Sequence, residues 1–151
     1  MAESNTMQFE IREINELEFY VDETKDADSS FDFSYSVDIF PDLNSERLKI
    51  IITANYLKNS SKVLFLKGKV LTAFYIKDMK AYAKKEANGK EGIDIPEAVW
   101  VTLFGIAFTH ARAILAESSA GTKFRGLLMP VINPQQEFKN LFGESFQLDK
   151  S

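Results

Sequence analysis

The sequence predicts a single α+β domain, a four-stranded antiparallel sheet followed by one long helix and one short one. Four segments before residue 80 alternate apolar and polar side chains with the period of two that a half-buried strand requires. After Pro96 the period changes, and an almost uninterrupted apolar run extends from Ala98 to Ala116. Asn133-Pro134-Gln135-Gln136 then supplies an N-cap, an N1 proline and a glutamine at N3, which together open a second, shorter helix.

The first strand is irregular. Phe9, Ile11 and Ile14 alternate imperfectly and Leu17, Phe19 and Val21 restart the pattern, so a β-bulge or bend is expected. The second is the cleanest, with Phe31, Phe33, Tyr35, Val37 and Ile39 separated by Asp32, Ser34, Ser36 and Asp38. Leu48, Ile50, Ile52, Ala54 and Tyr56 form the third, and Ile51 makes its other face partly apolar. Asn59-Ser60-Ser61 fits a glycosylation sequon but reads as the turn between Lys58 and Lys62. Val63 to Met79 carries apolar side chains on both faces, as a central or doubly covered strand does. Short turns are expected to join all four strands.

Residues 80–93 are lysine-rich and broken by Asn88-Gly89 and Gly92, which predicts a flexible connection with at most a frayed helical turn. Asp94 and Glu97 resemble a capping box for a helix that runs to about Ser119 and stops at Gly121. That helix is apolar nearly all round. One stripe holds Val99, Leu103, Ile106, His110, Ala113 and Ile114. The other holds Trp100, Phe104, Ala107, Phe108, Ala111 and Leu115. A membrane span is disfavoured: Arg112 costs about 2.5–3.5 kcal/mol at mid-bilayer, and no second span or basic flank supports insertion. The expected arrangement sets the sheet on one side and a second copy on the other, with Trp100, Phe104, Phe108, Ala111 and Leu115 as the oligomer interface. Thr122 to Asn133 reads as extended, Phe138, Leu141 and Phe142 as the apolar face of the short helix, and 143–151 as a polar tail.

At 151 residues the chain suits one domain, and it contains no cysteine. A polar, acidic N-terminus without an apolar h-region makes the cytosol the expected compartment. The formal charge of −4 conceals an asymmetry: residues 1–46 carry thirteen acids against two bases, and residues 47–90 eleven bases against two acids. Acidic strands lying beside basic ones are the preferred explanation. His110 is the sole histidine, and no metal-ligand spacing, nucleophile elbow or phosphate-binding glycine motif occurs. No enzyme, metal or cofactor is therefore expected. The acidic balance also argues against nucleic acid as a partner.

Phe9-Glu10-Ile11-Arg12-Glu13-Ile14 followed by Leu17-Glu18-Phe19 resembles the first strand of SecB, the bacterial export chaperone. Phe108-Thr109-His110-Ala111-Arg112-Ala113-Ile114 is similar to the end of its long helix. Gly121-Thr122, Leu128-Met129-Pro130-Val131 and Asn133 resemble its crossover loop, and Leu141-Phe142 a pair in its short helix. The order of these segments across the chain carries the likeness. The resemblance implies a SecB-like fold with both helices on one face of the sheet, assembled as a dimer of dimers. It also implies a holdase that keeps unfolded polypeptides export-competent in apolar grooves. The matching client-binding positions are Phe124, Leu127, Leu128, Met129, Phe138, Leu141 and Phe142. Docking to the SecA motor would use acids on the sheet, at Glu18 and Asp22. A further acidic position falls within Leu66-Lys67-Gly68-Lys69, where the charge is lost or reversed, so SecA stays open as a partner. A second reading keeps the fold and makes the chain the dedicated chaperone of one client, such as an antitoxin, without SecA docking.

Overall fold

The computed structural model describes residues 7–24, 31–85, 91–127 and 129–141. Strands β1 (Phe9–Val21), β2 (Phe31–Asp42), β3 (Arg47–Lys58) and β4 (Leu64–Ile76) form one antiparallel sheet. A 3-10 turn (Met79–Tyr82) leads to a two-stranded hairpin of β5 (Ala83–Lys85) and β6 (Glu91–Ile93). Helix α1 (Glu97–Ser119) follows, and a short helix, α2, covers 134–141.

The strand order is β1-β4-β3-β2, so short turns join only β2, β3 and β4. The first strand instead pairs with the last, and the chain crosses from one sheet edge to the other between β1 and β2. β4 is central, between β1 and β3, and besides its helix side Leu71 and Ala73 on the second face are buried. β1 carries two register shifts, between Ile11 and Glu13 and between Glu16 and Glu18, at the places where its alternation falters.

This order resolves the charge asymmetry. On the face turned away from α1, β4 presents Lys67 and Lys69, and β3 presents Arg47 and Lys49. Glu10, Glu13 and Glu18 of β1 border them on one side, and Asp32, Asp38 and Asp42 of β2 on the other. Two basic strands thus lie between two acidic edges, where opposite charges on neighbouring strands attract. Arg12, the extra residue of one bulge, lies over the Tyr75 ring at 4.7 Å.

The other face carries the core. Leu48, Ile50, Ile52, Ala54 and Tyr56 of β3 and Leu66, Val70, Phe74 and Ile76 of β4 are buried beneath α1. Gly68 sets the approach of the helix: a Cβ there would lie 2.8 Å from Leu115 Cδ1. The connection after β4 is more ordered than its lysines suggest. Met79, Ile93 and Ile95 are buried, and Asp94 N–H donates to the Tyr82 carbonyl at 2.6 Å. The expected capping box does not form; Pro96 is the N-cap of α1, with no side-chain cap hydrogen bond. Ala120 closes the helix in a right-handed conformation, and the left-handed glycine is Gly126, at φ 99°, not Gly121.

Candidate functional site

α1 lies along the sheet, and its direction is fixed by two close contacts. Leu115 seats over Gly68, and His110 Nδ1 shares a 3.0 Å hydrogen bond with Thr72 Oγ1. This orientation corrects the expected oligomer interface. Trp100, Phe104, Phe108, Ala111 and Leu115 are all buried within the chain, packed toward the sheet and α2. Phe108 meets Tyr35 of β2 edge-on, with ring centroids 5.2 Å apart. The sequence showed two apolar stripes but not which one the sheet would take. The larger aromatic side chains won because they bury more area against a flat sheet.

The outward face of α1 carries Thr102, Gly105, Ile106, Thr109 and Ala113 instead. Thr102 Oγ1 donates to the Ala98 carbonyl at 3.0 Å and Thr109 Oγ1 to the Gly105 carbonyl at 2.9 Å. Both hydroxyls are thereby turned back into the helix, and the face behaves as more apolar than its threonines indicate. Only 39% of the most apolar 18-residue stretch of α1 is buried. By length and composition alone the helix could cross a membrane, yet it spends its bulky side chains on the sheet. Asn133, Pro134 and Gln135 rise beside the outward face to border an open groove of about 600 Å³, with His110 in its wall. On the same side of the sheet, Ile11 and Ile14 of β1 remain 45% exposed. Neither the groove nor this exposed pair was expected; the faltering alternation of β1 was their only trace in the sequence.

The predicted client-binding positions divide three ways. Phe124, Met129 and Phe138 are buried at 1–2% exposure, so in this state they belong to the core. Leu127 is half-buried and Leu141 is exposed. Leu128 and Phe142 lie outside the described residues, as does the 143–151 tail. What pins this region is a small set of contacts. Phe138 sits against Trp100 and Phe104, with centroid distances of 6.5 and 6.4 Å. Tyr35 Oη donates to Glu137 Oε1 at 2.5 Å, and Arg112 Nε to the Met129 carbonyl at 2.7 Å. Asn133 caps α2 as its sequence predicts, accepting from Gln136 N–H at 3.1 Å.

α2 and the segment before it lie over β2, an edge strand of the sheet. Phe31, Phe33, Tyr35, Val37 and Ile39 form a row along that strand, partly buried against the core. Beneath them the Tyr56 hydroxyl is buried with no hydrogen-bond partner among the described residues. Burial pushes its pKa up to about 12, offset slightly by Arg112. Burial likewise raises the Tyr35 phenol, and the Glu137 hydrogen bond adds to the effect. Burial lowers the pKa of His110.

The two acids placed for SecA docking are already engaged. Glu18 Oε1 pairs with Lys67 Nζ at 3.3 Å, and Asp22 Oδ1 accepts from Thr24 N–H at 3.0 Å. Among the described residues no group of three His, Cys, Asp or Glu side chains could hold a metal ion.

No family profile and no curated protein matches the sequence. Among solved structures, the chain is similar to the Mycobacterium tuberculosis SecB-like chaperone Rv1957 in complex with a ChAD peptide from the Rv1956 HigA1 antitoxin. The TM-score is 0.57 at 10% identity, and the match covers 83% of this chain and 90% of the other. A likeness at that identity lies in the architecture. The sheet with its long helix is the fold of a SecB-like chaperone.

Proposed function

We propose that this protein is a cytosolic, non-enzymatic chaperone that holds unfolded polypeptide against the α2 side of its sheet. The observation that carries the reading is the row of partly buried Phe31, Phe33, Tyr35, Val37 and Ile39 on an edge strand of the sheet. An unfolded chain offers alternating apolar side chains and unpaired backbone groups, and such an edge accepts both. Displacement of α2 would add Phe138, Phe124 and Met129 to that surface. Among the described residues, the seating of Phe138 against Trp100 and Phe104, the Phe65–Phe124 ring contact and two side-chain hydrogen bonds oppose it. The second part of the proposal is self-association through the outward face of α1 together with Ile11 and Ile14 of β1, as a dimer or a dimer of dimers. An apolar helix left largely uncovered along one side is matched best by another copy of the same surface.

The test is suppression of aggregation. A chemically unfolded client diluted into an equimolar amount of the protein should stay soluble, and Phe33→Asp with Val37→Asp should remove most of that protection. Unchanged aggregation with the native protein would end the holdase reading.

A dedicated chaperone of one client is favoured by two observations. The structural neighbour was solved with an antitoxin peptide, and Lys67 neutralises Glu18 where a docking surface for SecA would need free acid. Affinity capture from the native host separates the two readings. One stoichiometric partner indicates the dedicated form, whereas a heterogeneous set of clients, with or without SecA, indicates the general one.

A further inference from the structure

His110 is the only histidine in the chain, and it stands where the outward face of α1 meets the sheet. Its imidazole lines the groove beside Ile106 and reaches Thr72 of β4. In the sheet register Thr72 lies between Ile14 of β1 and Ile50 of β3, so the ring points into an apolar strip. Among the described residues, no charged group of the surrounding elements pairs with the ring. On β4, Lys67 and Lys69 occupy the opposite face. On β1, Glu10, Glu13 and Glu18 do the same, and Glu16, on the helix side, accepts from Ser118 Oγ at 2.6 Å. On α1, Arg112 is committed to the Met129 carbonyl, and Glu117 is exposed near the C-terminus. Residues 129–133 carry no titratable side chain, and Glu137 of α2 is held by Tyr35. Among the described residues the ring's hydrogen-bond partner is the neutral Thr72 hydroxyl, so a proton on His110 would have no carboxylate bonded to it.

Resting on the reading that this face meets a second copy, we propose that His110 makes the association pH-dependent, the neutral imidazole permitting the contact and the imidazolium releasing it. Covering the groove removes the remaining water from the ring and disfavours its charged form further. The sign follows from linkage. The ring already resists protonation in the single chain through burial. In the assembly it binds protons still less readily, so association is full above the pKa of the separated chain. It is lost as pH falls from that value toward the lower pKa of the assembled form. Below both values the dissociation constant rises about tenfold per buried histidine for each unit separating them.

Sedimentation equilibrium from pH 8 to pH 5, on the native protein and on His110→Asn, tests this. Native protein that dissociates on acidification while His110→Asn assembles equally at every pH supports the inference. Native assembly indifferent to pH overturns it, and so does His110→Asn with the native pH dependence. The single imidazole proton signal supplies a measurement that needs no variant. Its pKa should fall as protein concentration is raised through the association range, and the same pKa in dilute and concentrated samples overturns the proposal. A native protein that stays monomeric at pH 8 at all concentrations overturns the self-association reading itself. pH-insensitive assembly overturns the His110 inference alone.

Discussion

Phe138→Ala should release α2 while leaving the sheet folded. Phe138 is 2% exposed and fills the space between Trp100 and Phe104. Truncating a buried Phe to Ala costs roughly 3–5 kcal/mol when the site cannot collapse. Among the described residues, the polar ties from α2 and the segment before it to β2 and α1 include the Tyr35–Glu137 and Arg112–Met129 hydrogen bonds. Each is worth about 1 kcal/mol, or somewhat more where a charge is involved. The plug thus outweighs the two bonds together, and removing it brings the undocked form of α2 closer to the docked one by roughly that 3–5 kcal/mol. Residue-resolved amide exchange reads this directly. Amides of 137–141 should lose protection by about a hundredfold or more, since about 1.4 kcal/mol is a factor of ten. Amides of β3 and β4 should change far less. Equal loss in α2 and the central strands would refute the reasoning, because it would make Phe138 part of one cooperative core. In that event the α2 side could not open without global unfolding.

Other expectations follow from single contacts. Tyr56→Phe removes a buried hydroxyl that has no partner among the described residues, so stability to urea should be unchanged or rise by up to about 1 kcal/mol; a clear loss would reveal a partner. Gly68→Val should cost roughly 1–3 kcal/mol by driving into Leu115, and Leu115→Ala should recover part of that in a double-mutant cycle. The Tyr35 phenol titrates above its ordinary value of 10.0, so its contribution to α2 docking is complete below that pH and is lost as pH rises through the elevated value. Fluorescence of Trp100, the only tryptophan, should report this alkaline release, and Tyr35→Phe should abolish the phase.

Strands, bulges and the α2 cap were readable because each is written in local spacing. The alternation from Phe31 to Ile39 and the Asn133-Pro134 pair need no distant partner to be recognised. Strand order was not readable, since nothing within β1 says that its neighbour is β4. The candidate site was only partly legible. Both stripes of α1 are apolar, and the choice between them depends on Gly68, a position in another element that accepts Leu115. Phe124, Met129 and Phe138 were legible as apolar positions. Whether such side chains are binding surface or core depends on whether the segment carrying them folds back, which here it does.

The pairing of the first strand with the last has a consequence for biogenesis. Val21 waits for Leu66, and Phe9 for Ile76. During synthesis β1 emerges first and stays unpaired until β4 has been made, while β2, β3 and β4 can zip together as each appears. Long-range closure of this kind slows folding, because chain entropy is lost before the contacts that repay it exist. A protein whose proposed task is to shelter incomplete chains therefore passes through such a stage itself, with an aliphatic strand awaiting its place.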